Sequence, residues 1–122
     1  MYSIISVFIG GGLGAVLRYL TGIFSQKYLS STVLGTITVN IIGCFLIGCI
    51  LGYTINKDCN IAPTVKLFLT VGLLGGLTTF STFSAEAILF LKDGKFLQAL
   101  SYIFLSVFVG LLFTYIGYTI TK

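Results

Sequence analysis

Between Gly75 and Glu86 the chain reads GGLTTFSTFSAE, with five hydroxyl side chains and two phenylalanines inside an otherwise apolar segment. Thr78, Thr79, Ser81, Thr82 and Ser84 point around the whole circumference of a helix, so one packing face cannot account for them all. Phe80 and Phe83 lie three apart and share a face. A phenyl ring is electropositive at its edge. Two such edges among hydroxyls can therefore touch an anion without offering a fixed charge that would trap it. Two other places carry related chemistry. Asn40, within GTITVNIIG, has amide donors as well as an acceptor; it either clamps a neighbouring helix or lines a route for an anion. Tyr102, Ser106, Gly110 and Thr114 recur every four residues on one helix face. That spacing makes a ladder of O–H donors, and it also suits helix packing.

The elements that must position these groups follow from composition. The 122 residues are 57% hydrophobic and 8% charged, with a mean hydropathy of +1.10. A soluble domain carries about 25% charged residues, so this chain reads as an integral membrane protein. Four apolar runs cover about 2–25, 32–55, 64–91 and 96–121, each long enough for the roughly 20 residues that a bilayer demands. SQKYLSS, NKDCN followed by Pro63, and KDGK separate them with turn and charge signals. The loops leave no room for a soluble domain. A single all-α, four-helix transmembrane domain is expected over 1–122, each helix antiparallel to the next. The first run reads as a span rather than a cleavable signal, because no positive charge precedes it and it is longer than the apolar core of a signal.

Inside the third run, the Gly75–Gly76 pair weakens the helix, glycine costing about 1 kcal/mol against alanine. A helix opened there would present carbonyl oxygens at mid-membrane depth. Such carbonyls are tolerated only when buried in protein or bound, for instance to a cation. A continuous helix with a glycine contact face is the other reading. Close helix contacts are also suggested by G-x-x-x-G at Gly10/Gly14, Gly48/Gly52 and Gly72/Gly76.

Charge and cysteine exclude several functions. The net charge of +4 spreads over short loops, with no basic cluster of the kind that grips nucleic acid. Cys44, Cys49 and Cys59 form no C-x-x-C pair and histidine is absent, which argues against a Cys/His metal site. One carboxylate, Glu86, and one arginine, Arg18, fall inside the runs, each near an end where a long side chain can snorkel. Lys57, Lys66 and Lys122 face one side of the membrane, and Arg18, Lys27, Lys92 and Lys95 the other. Three against four is no bias that could set an orientation. Either the chain inserts both ways and pairs as an antiparallel dimer, or it has one weakly biased topology.

Three segments together resemble the CrcB/Fluc family of small fluoride channels: GGGLGAVLRY at 10–19, GTITVNIIGCFLIG at 35–48 and GLLGGLTTFSTFSAE at 72–86. The resemblance spans the whole chain. It implies an antiparallel, dual-topology homodimer in the plasma (inner) membrane, with a broken third helix and two fluoride pores shared between subunits. It implies a structural sodium ion at the dimer centre, held by the Gly75 and Thr78 carbonyls of both copies. Phe80 and Phe83 match the pore aromatics and Asn40 the pore amide. Thr79, Ser81, Ser84, Tyr102, Ser106 and Thr114 match further pore-lining positions. Arg18 matches a vestibule arginine and Glu86 a polar-track residue, whereas Gly110 departs from the hydroxyl often found there. The implied role is passive efflux of cytoplasmic fluoride, with no ATP site, catalytic triad or enzymatic step. Whether the partner is an identical or a paralogous chain stays open. A small multidrug-type antiporter is the alternative, but it would need an acid in the first span, and 2–25 contains none. A non-transporting assembly subunit is the third reading.

Overall fold

A computed structural model describes residues 1–56 and 61–122; Lys57 and Cys59 lie outside the described residues. Helix α1 is Tyr2–Leu29, α2 is Thr32–Asn56 and α6 is Phe96–Thr121. Between them runs the third span, Pro63–Lys92. It comprises α3 (Pro63–Leu67), a π-helical segment (Phe68–Leu74), α4 (Gly75–Leu77) and α5 (Phe80–Lys92). Four segments are long and apolar enough to cross a membrane. The protein is an all-helical, multi-pass membrane protein, and the described residues contain no strand.

Local chemistry accounts for the ends. Pro63 opens the third span at a first-turn position, where its missing N–H costs nothing. Gly94, at φ 72, closes the α5–α6 turn in the left-handed region that glycine enters freely. Helix α1 continues four residues beyond the apolar boundary expected at 25. Gln26, Lys27 and Leu29 are good helix formers, and hydrogen bonding does not stop where hydropathy does. Lys27 lies 5.2 Å over the Tyr28 ring. The α1–α2 corner is tied by the buried Ser25 hydroxyl, which donates to the Ser31 carbonyl at 2.6 Å.

Helical geometry lapses at a different place from the glycine pair. Gly75 keeps φ −63, ψ −37, whereas Thr78 (ψ 157) and Thr79 (φ −150, ψ 118) are extended. Gly76 has another task. A Cβ on Gly76 would meet the Gly11 carbonyl at 2.5 Å, and one on Gly14 would overlap the Leu73 carbonyl. Gly76 thus sits where α1 backbone touches third-span backbone, while Gly75 beside it is exposed. β-Branched threonines are the residues better suited to extended geometry.

The same close approach joins α2 to α6, where a Cβ on Gly48 would overlap the Thr114 carbonyl and one on Gly117 the Phe45 carbonyl. All three G-x-x-x-G pairs lie at helix contacts, as expected where small residues let backbones approach. Helix α2 then bridges both parts of the third span. Val39 packs with Leu74 and Leu77, while Val33 and Ile37 pack against Phe83, Ala87 and Tyr102. These two clusters hold the extended threonines at the level of Asn40.

Candidate functional site around Thr78 and Thr79

At the extended pair the Thr78 N–H keeps its helical partner, the Leu74 carbonyl at 3.0 Å, but the Thr78 carbonyl and both backbone groups of Thr79 leave the helix ladder. In hydrocarbon no water replaces those partners, and each unsatisfied group costs several kcal/mol. Side chains from two other helices replace them. Thr79 N–H donates to Asn40 Oδ1 at 2.8 Å, and Asn40 Nδ2 donates to the Thr79 carbonyl at 3.1 Å. One amide therefore pairs with both polar groups of one residue, as a neighbouring strand would. Arg18 Nη1 donates to the Thr78 carbonyl at 3.0 Å. The Thr79 hydroxyl caps α5 by accepting from Thr82 N–H at 3.1 Å, satisfying one of the orphan donors of a helix start.

Thr79 stands between two cavities. The first, about 380 Å³, is lined by Asn40, Gly75, Thr78, Phe80, Phe83 and Ser106 among others, with no Asp, Glu, Lys or Arg. The Ser106 hydroxyl is buried and has no hydrogen-bond partner among the described residues. The Phe80 and Phe83 centroids are 5.6 Å apart and inclined by 44°. Phe80 is 79% exposed, so it projects out of the single chain, while Phe83 is buried. The second cavity, about 560 Å³, contains Arg18, Lys27, Thr36, Thr82 and Glu86. Glu86 is buried and accepts two O–H donors, Thr36 at 3.0 Å and Tyr102 at 2.7 Å. The Tyr102 ring lies 5.1 Å from Phe83, linking the two regions.

Seen from outside these contacts, the arrangement offers neutral donors and ring edges on one side of Thr79 and charged groups on the other. Residues 5–118 match the family described as CrcB-like protein, Camphor Resistance (CrcB). The chain belongs to the CrcB family. It is 47% identical to a protein of Flavobacterium psychrophilum named fluoride-specific ion channel FluC, with 100% of this chain and 98% of that one covered. Proteins of the same name from Hydrogenobaculum sp. (42%; 93% and 92% covered) and Shewanella loihica (44%; 96% and 94% covered) are similar to it over nearly their whole length.

Not every CrcB position anticipated from sequence joins the site. Ser81 lies beside Thr79, their hydroxyls 3.3 Å apart. Ser84 bonds back to the Phe80 carbonyl at 2.9 Å and Thr114 to the Gly110 carbonyl at 3.0 Å. Both hydroxyls serve their own helices, and Thr114 faces the α2 glycine contact. Gly110 is buried beside Cys44. Thr36 was not anticipated, although a signal existed: it precedes Asn40 by four residues, on the same face of an apolar helix.

Asn40→Leu keeps the bulk and strands both polar groups of Thr79, at about 1–3 kcal/mol for each unsatisfied group. Thermal stability in detergent should fall, and hydrogen exchange at the Thr79 amide should accelerate. Asn40→Asp, which keeps only the acceptor, should be intermediate. Unchanged exchange at Thr79 in the leucine variant would refute the clamp.

Proposed function

We propose that this chain forms a fluoride-selective channel that lets cytoplasmic fluoride leave the cell passively, and so limits fluoride toxicity. The observation that carries the reading is the smaller cavity, where the Asn40 amide, the Ser106 hydroxyl (without a hydrogen-bond partner among the described residues) and two phenyl rings converge without a fixed charge among the lining residues. Asn40 has a second amide proton beyond the one given to Thr79. Neutral donors can replace part of an anion's hydration, and conduction requires that such binding stay weak enough for the ion to leave. The names of the relatives support fluoride as that ion. Hydrogen fluoride enters an acidified cell uncharged and ionises inside, so the anion needs only a downhill exit.

In the proposed assembly two copies pair antiparallel in the plasma membrane, with the third helix of each broken at Thr78–Thr79. Phe80 and Gly75 are exposed on the single chain and line its smaller cavity, which supports a pore completed by a second copy. Sodium fits the same place. The described residues hold no group of three His, Cys, Asp or Glu, so an oxygen-seeking cation would depend on backbone carbonyls. The Thr78 carbonyl gives one lone pair to Arg18 and keeps another; Gly75 stands open beside it. Gly75 and Thr78 of both copies would hold the ion. When bound, it would raise the local potential while leaving the pore walls neutral.

The flux test uses liposomes. Phe80→Ile and Phe83→Ile retain apolar bulk and remove the ring rim, so each should fold and lose most fluoride efflux. Parental rates in both would mean that the rings only pack. Dual insertion predicts that a C-terminal tag is found on both membrane faces; a tag confined to one face would point to a heteromeric partner instead. For the ion, Gly75→Leu is informative because a Cβ there meets nothing in its own chain closer than the Thr70 carbonyl at 3.7 Å. Loss of pairing and flux is expected, and a Gly75→Leu protein that dimerises and conducts normally would sink the sodium site.

A further inference from the structure

The larger cavity has both a carboxyl group and a guanidinium in its lining without joining them. Arg18 and Glu86 both line it, yet the ion pair found among the described residues is Lys95–Asp93, far along the chain. Each group is committed elsewhere. Arg18 donates to the Thr78 carbonyl, and the two oxygens of Glu86 are taken one each by Thr36 and Tyr102. We propose that Thr36 is a positioning residue for conduction: it holds one carboxyl oxygen of Glu86 on α2, and so keeps that carboxyl from drawing Arg18 off the extended threonines. The proposal rests on the channel reading above.

The geometry of Thr36 is unusual for its helix. Thr38 and Thr54 return their hydroxyl protons to their own turn, at 2.7 Å to the Leu34 carbonyl and 2.9 Å to the Ile50 carbonyl. Thr36 has the same option at the Thr32 carbonyl but at 3.4 Å, and Glu86 Oε1 is closer at 3.0 Å. A hydroxyl has one proton, and the shorter contact crosses to another helix. Thr36 is buried, and its neighbour Gly35 is placed against Ser25 and Thr21 of α1. Val33 and Ile37 pack the same stretch of α2 onto the Phe83–Ala87–Tyr102 cluster. The hydroxyl is thus delivered to Glu86 by packing on both sides.

The consequence of losing it is electrostatic. A carboxyl oxygen without its donor, in a cavity shared with a guanidinium, gains most by turning to that guanidinium, since bidentate Arg–carboxylate pairs are among the strong hydrogen bonds. The Thr78 carbonyl would then lose its donor and the extended pair its anchor to α1. Tyr102 does not substitute for Thr36, because it approaches the other oxygen from α6.

Thr36→Val keeps the branched shape and removes the hydroxyl; Thr36→Ser restores it. In liposomes Thr36→Val should lose about tenfold in fluoride efflux, as expected for one lost hydrogen bond to a charged group, and Thr36→Ser should match the parent. On a Glu86→Gln background the valine change should cost nothing further, since Thr36 acts only through that carboxyl. The guanidinium ¹⁵N resonances of Arg18 should shift in Thr36→Val and not in Thr36→Ser, a readout that needs no flux. If valine prevents folding, Thr36→Ala carries the same comparisons. Parental efflux in Thr36→Val, an equal loss on the Gln background, or unmoved Arg18 resonances would each overturn the assignment. A parent chain that conducts no fluoride would instead overturn the channel reading, and this inference with it.

Discussion

Hydrocarbon does not hydrogen-bond, and the Thr78–Thr79 pair is built against that constraint. Two extended residues in a membrane-length segment free backbone groups that a helix would have satisfied. The rest of the chain is arranged to answer them. Asn40 must reach Thr79 from α2 and Arg18 must reach Thr78 from α1, so both helices have to lie close to the third span. Gly10, Gly14, Gly72 and Gly76 permit that closeness on the α1 side, where an added Cβ would run into backbone. Val39, Leu74 and Leu77 secure it on the α2 side. Small residues and polar clamps thus depend on each other. Without close packing the clamps do not reach, and without the clamps the extended pair is too costly to bury.

The division of charge around Thr79 follows from the same geometry. Two unit charges 4 Å apart at an effective dielectric constant of 20 interact by about 4 kcal/mol, which lengthens residence about a thousandfold. A route for a small anion cannot carry such a charge on its wall and still release the ion quickly. The smaller cavity meets that requirement with amide, hydroxyl and ring edge. Arg18 and Glu86 line the larger cavity instead, Arg18 held by a carbonyl and Glu86 by two hydroxyls. Thr79 belongs to both linings.

Much of this was legible in residues 1–122 alone. Long apolar runs bounded by Lys, Asp, Asn and Gly specify spans, because a bilayer of fixed thickness tolerates little else. The α2 and α6 ranges therefore needed almost no correction. A dense hydroxyl cluster in such a run marks a site, because burying it without partners is costly. The three G-x-x-x-G pairs pointed to helix contacts for a similar reason, since close backbone approach leaves no room for a side chain.

What the tertiary structure alone decided were the partnerships. Local propensity favoured opening at Gly75–Gly76, but α1 packs there and keeps it helical, and the lapse falls on the threonines that Asn40 and Arg18 can reach. Asn40 was equally consistent with a clamp or a lining; its contacts with Thr79 are set by the height at which α2 crosses the third span. The mark that Thr36 carried, its place four residues before Asn40, did not name a partner, because a threonine in a helix ordinarily bonds its own turn, and its reach to Glu86 exists only once α2 and α5 are side by side. Periodicity and composition are properties of a segment, and so are written in the sequence. A hydrogen bond between residues 36 and 86 or between residues 18 and 78 depends on how far one helix lies from another, and only packing sets that distance.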